Sequence, residues 1–119
     1  MRMCWVLDAA LPPPICNWEL RDVRGRLIGV PDLFDPVAGM VGEYQGADHR
    51  RPDRQRRDRE REERFRDHGL EYFEVVEGEL LHRSRVADRM RKCRARARFL
   101  PPDRCSWIVS EPTPRSHAA

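Results

Sequence analysis

The segment "RRPDRQRRDREREERFRDH", residues 50–68, carries no apolar residue before Phe65, yet it joins two of the most apolar stretches of the chain. Pro52 and Asp53 suit the first turn of a helix, and Gly69 suits its stop. On one side lies "GMVGEYQG" and on the other "LEYFEVV", rich in aromatic and β-branched residues. A strand, a helix of about five turns and a second strand make a crossover unit. Such a unit places its two strands parallel in one sheet, with a right-handed connection.

The rest of the chain is read around that unit. Residues 2–11 suit a short helix with Met3, Val6, Leu7 and Ala10 on one face, ended by Pro12-Pro13-Pro14. Strands are expected near 17–23 and 26–35, turned at Arg24-Gly25, and a third follows the turn "DPVAG" at 35–39. A last helix over roughly 79–98 has Val86, Met90, Cys93 and Ala97 as its apolar stripe. From Leu100 the prolines return without a period, so residues 100–119 are expected to form a flexible tail, with Trp107-Ile108-Val109 as its one docking candidate. The expected class is α/β (α+β) in the order αβββαβα: a mixed four-stranded sheet flanked by helices, forming one domain over residues 1–99.

The length of 119 residues allows one small domain. No apolar run approaches the ~20 residues of a membrane span, and the start does not read as a signal peptide, so the expected location is the cytoplasm. Cys4, Cys16, Cys93 and Cys105 have no zinc-site spacing and are expected as reduced thiols. The basic residues comprise 22 arginines and a single lysine, Lys92.

Against this charged background, the short apolar runs of "GVPDLFDPVAGMVGEYQGADH" hold polar groups at telling places. Glu43 and Gln45 are two apart and share a strand face. With the turn centred on residue 37, Asp32 lies diagonal to Glu43, within reach of a common ion. Two carboxylates and the backbone carbonyl of Tyr44 offer hard oxygen ligands of the kind Mg²⁺ takes, with Mn²⁺ as a substitute. A water on that ion would become a nucleophile. Taken singly, each acid is more simply a turn or surface residue; the joint pattern carries the argument.

That pattern resembles the PD-(D/E)xK signature of restriction-endonuclease-like proteins. With the arginine-rich helix and "LEYFEVVEGEL" following in order, it is similar to actinobacterial endonuclease-like proteins related to very-short-patch-repair endonucleases, over residues 3–99. The resemblance implies Asp32 and Glu43 as metal ligands. Gln45 stands where the signature has lysine, and an amide orients a water or phosphate without acting as a base. His49 matches a histidine after the third strand and is the candidate for proton transfer; the bland alternative is a loop histidine beside the charged helix. Relatives carry a glutamate on the first helix, at a position that would precede Met1. Either the protein begins upstream, where relatives often carry a further domain, or this version lacks one metal-site acid; an N-terminal truncation is the expectation.

Nucleic acid is the expected partner, and the membrane is not. Arg50, Arg54, Arg57, Arg61 and Arg64 form a stripe along the charged helix, although residues 47–68 balance nine arginines with seven acids, as a solvated, salt-bridged helix would. Residues 83–98 hold seven arginines and Lys92 against Asp88 alone, and Arg91, Lys92 and Arg94 are the candidate phosphate contacts. The function expected is a Mg²⁺-dependent DNA endonuclease. The alternative is a catalytically inactive nucleic-acid-binding, toxin–antitoxin or regulatory protein on the same scaffold.

Overall fold

The structure, a computed structural model, describes residues 1–46 and 51–112. The crossover unit forms as its sequence dictates. Strand β4 (Met40–Gln45) leads through helix α1 (Pro52–Asp67) to strand β5 (Glu71–Val76), which lies parallel to β4 with Glu43 opposite Glu74. Pro52 opens the helix and Gly69, at φ +78°, follows its end.

The single four-stranded sheet does not form. The stretch expected as one strand over 26–35 breaks at Val30-Pro31-Asp32 into β2 (Leu27–Gly29) and β3 (Leu33–Asp35). Pro31 has no N–H for a ladder, and the Asp32 N–H points instead at Glu43 Oε2, 3.4 Å away. Two three-stranded sheets result. One is antiparallel, in the order β2-β1-β6, with β1 at Glu19–Asp22 and β6 at Trp107–Ser110. The other is mixed, in the order β3-β4-β5. The protein is thus an α+β fold.

The tail expected beyond residue 100 is not loose where β6 runs. Leu20 pairs with Val109, and the Trp107 ring meets Phe34 edge-on with centroids 5.0 Å apart. The first helix is also shorter than expected: a single π-type turn, Cys4–Asp8, closed by the Ala9 N–H on the Cys4 carbonyl at 2.8 Å. This wider turn buries Cys4, Trp5 and Ala9 and leaves Met3 and Leu7 exposed, so the expected apolar face of Met3, Val6, Leu7 and Ala10 is not the buried one.

The β3-β4-β5 sheet is the middle layer, and its alternation separates two cores. One face carries Leu33, Met40, Phe73 and Val75 under the first turn and helix α2 (Arg83–Arg96). Val86, Met90 and Cys93 of α2 are buried there as the stripe predicts; a 3₁₀ turn, Glu79–His82, takes the place of the helix's expected first turn. The other face carries Phe34, Val41 and Tyr72 against Leu20, Ile28 and Phe65. Phe65 is the one buried residue of α1, and it lies so close to β2 that a Cβ on Gly29 would sit 2.7 Å from its Cζ.

Arginines complete what α1 lacks in apolar surface. Arg61 donates to the Val30 carbonyl at 2.8 Å and Arg64 to the Ile28 carbonyl at 3.2 Å, covering the edge of β2. The outer edge of β5 is covered in the same way, by Arg89 on the Glu74 carbonyl and by Glu79 accepting from the Val76 N–H.

Candidate functional site

The β3–β4 hairpin fixes the two candidate acids. Asp35 Oδ1 accepts the N–H groups of Val37 and Ala38, both at 3.0 Å, and its carbonyl accepts Gly39 N–H, which closes the turn. Asp35 Oδ2 meets Arg94 Nε of α2 at 2.7 Å, and the carboxylate is only 2% exposed. The register that follows pairs Leu33 with Gly42 and Asp35 with Met40. Extended by one residue, it sets Asp32 directly opposite Glu43 rather than diagonal to it, so their side chains share a face.

At that open end, Asp32 Oδ2 accepts the Tyr44 N–H at 2.8 Å, while Asp32 donates its own N–H to Glu43. The ladder ends there: Pro31 has no N–H, and its carbonyl accepts the Asn17 N–H at 3.1 Å. The Asp32 and Glu43 carboxylates therefore both lie at the open end of the hairpin. A cavity of about 470 Å³, lined in part by Asn17, Asp32, Leu33, Tyr44 and Leu80, opens beside them.

Glu43 is 4% exposed. Its cation is Arg61, whose Nε and terminal nitrogen both lie 2.6 Å from Oε1. Burial pushes the Glu43 carboxyl up to about 7; Arg61 pulls against this, and the Asp32 charge adds to it. Gln45 lies two residues on, on the same face, beside the Tyr72 hydroxyl, and that hydroxyl donates to Glu74 Oε2 at 3.3 Å. Burial raises the Tyr72 phenol further above its usual range.

The structure thus brings Asp32 and Glu43 together, with Gln45 two residues on along the same strand face as Glu43. It adds three groups the sequence reading did not place there: Arg61 as an ion-pair partner, Tyr72 and Glu74. The Tyr72-x-Glu74 alternation was visible, but its position opposite Glu43 depends on the parallel register. His49 and Arg50 lie outside the described residues. Among the described residues, no three or more His, Cys, Asp or Glu side chains converge as a metal cluster. The two carboxylates, Asp32 and Glu43, are hard oxygen donors of the type a divalent ion takes, and Arg61 occupies one oxygen of Glu43.

The candidate phosphate contacts separate into two kinds. Arg61, Arg64, Arg91 and Arg94 are engaged within the chain, Arg91 with the Asp8 carbonyl at 3.0 Å and with Asp88. Arg54, Arg57 and Lys92 are exposed and make no ion pair among the described residues. All four cysteines are free. No helix among the described residues is long and apolar enough to cross a membrane. No family model, curated protein or solved structure matches the chain.

Proposed function

We propose that the protein is a DNA-directed, endonuclease-like protein of restriction-endonuclease-like character whose reacting edge is the open end of the β3–β4 hairpin. The observation that supports this reading is the meeting of Asp32 and Glu43 where Pro31 ends the ladder. Asp32, Glu43 and the Tyr44 carbonyl would hold Mg²⁺ or Mn²⁺. The ion would neutralise phosphodiester charge and acidify a water. Gln45, on the same face, orients a water or a non-bridging oxygen through its amide, carrying no charge and serving as no base. His49 is the proposed proton carrier. The exposed Arg54, Arg57 and Lys92 attract the DNA backbone without reading sequence.

A second reading is favoured by one observation. With Arg61 neutralising Glu43 and an amide at position 45, the same surface would bind nucleic acid without cutting it, as a regulatory protein does. The two readings separate on incubation with plasmid and single-stranded DNA in Mg²⁺, Mn²⁺ or EDTA. Metal-dependent nicking supports the first. Salt-sensitive binding with no strand scission in any ion supports the second.

A further inference from the structure

Glu43 cannot stay charged at 4% exposure without a counter-charge, and Arg61 supplies it. The guanidinium occupies Oε1 with two nitrogens, while Oε2 receives one N–H at 3.4 Å, from Asp32. A divalent ion on Glu43 would face that guanidinium at close range, and two cations on one carboxylate repel. Arg61 and a metal ion are therefore competitors for the same carboxylate.

Arg61 has somewhere else to go. Its side chain is 31% exposed, and it continues the line of exposed Arg57 and Arg54 along α1. A phosphodiester oxygen pair matches a guanidinium fork as well as a carboxylate does. We infer that Arg61 is the resident counter-charge of Glu43, and that DNA backbone draws it away. Metal binding at the Asp32–Glu43 edge is thereby coupled to DNA binding. Arg61 is a positioning residue: it holds the acid silent in the free protein and releases it on the polyanion. This inference rests on the metal-dependent reading above. Coupling of this kind is reciprocal, so metal tightens DNA by the factor by which DNA tightens metal.

The test measures Mn²⁺ affinity by the paramagnetic resonance of the free ion, without DNA, in the wild type, Glu43→Gln, Arg61→Gln and Arg61→Gln/Glu43→Gln. The inference expects Arg61→Gln to bind Mn²⁺ at least ~10-fold more tightly than the wild type, with the double variant losing that gain. Equal, Glu43-dependent affinity in the wild type and Arg61→Gln overturns the inference and leaves the metal reading standing. Absence of binding in every form overturns both. If Arg61→Gln does not fold, the wild type decides by anisotropy of a labelled duplex. Ca²⁺ should tighten the duplex at least ~10-fold in the wild type and not in Glu43→Gln; no Ca²⁺ effect overturns the inference.

Discussion

The Arg61 guanidinium closes on Glu43 Oε1 at 2.6 Å, so the charged helix is bound to the sheet through the carboxylate on which the proposed chemistry depends. The same side chain bonds the Val30 carbonyl and lies 5.6 Å from the centre of the Phe65 ring. Helix docking and site electrostatics share one residue.

The first consequence is a stability that falls with pH. Burial raises the Glu43 carboxyl from 4.5 to about 7, so the folded state holds this proton more tightly than the unfolded state does. The contribution is complete below about pH 4.5 and is lost as pH rises through about 7. The span is on the order of 3 kcal/mol. Urea unfolding at pH values across this window should show the decline in the wild type and a flatter profile in Glu43→Gln. A wild-type profile that rises through the same window contradicts the assignment.

Asp35 and Arg94 hold the β3–β4 turn to α2 at 2.7 Å with the carboxylate almost fully buried. Asp35→Ala strands the guanidinium and two backbone N–H groups, and a loss of about 3–5 kcal/mol is expected. Thermal unfolding reads it. Arg94→Ala is expected to unfold the protein before it reports on DNA.

Gly29 gives Phe65 the room to seat α1. Gly29→Ala places a methyl 2.7 Å from the ring and should cost about 1–3 kcal/mol by overpacking. Phe65→Leu should relieve part of that loss, so a double-mutant cycle over the pair should show coupling rather than additivity.

DNA affinity should follow the exposed cations. Lys92→Ala and Arg54→Ala should each reduce the slope of log affinity against log salt by about one, as loss of a phosphate contact does. Arg91→Ala, removing a side chain held by Asp8 and Asp88, should leave the slope nearly unchanged. Anisotropy titrations of a labelled duplex over a salt series measure it.

The crossover was legible because every local signal agreed: a proline start, a glycine stop and a helix too polar to be anything buried. The α2 stripe was legible for the same reason. The split at Pro31 was written in the sequence but outweighed by apolar residues on both sides, and a missing N–H matters only once its would-be partner is known. The strand Trp107–Ser110 was hidden by its surrounding prolines, because its partner Glu19–Asp22 lies far away in the chain. At the site, the shared face of Glu43 and Gln45 followed from strand period, and Asp32 was one register step off. Arg61 read as one arginine in a stripe, and its ion pair with Glu43 spans 18 positions. Asp35 looked like a turn residue, and its ion pair with Arg94 spans 59 positions.

Conversion of supercoiled plasmid to nicked circles in Mn²⁺ decides whether Asp32 and Glu43 form a reacting edge, with the wild type, Asp32→Ala, Glu43→Ala and Lys92→Ala compared. The wild type should nick, either acid variant should lose at least ~100-fold, and Lys92→Ala should show a weaker, salt-dependent loss. Nicking that survives Asp32→Ala or Glu43→Ala would contradict that assignment.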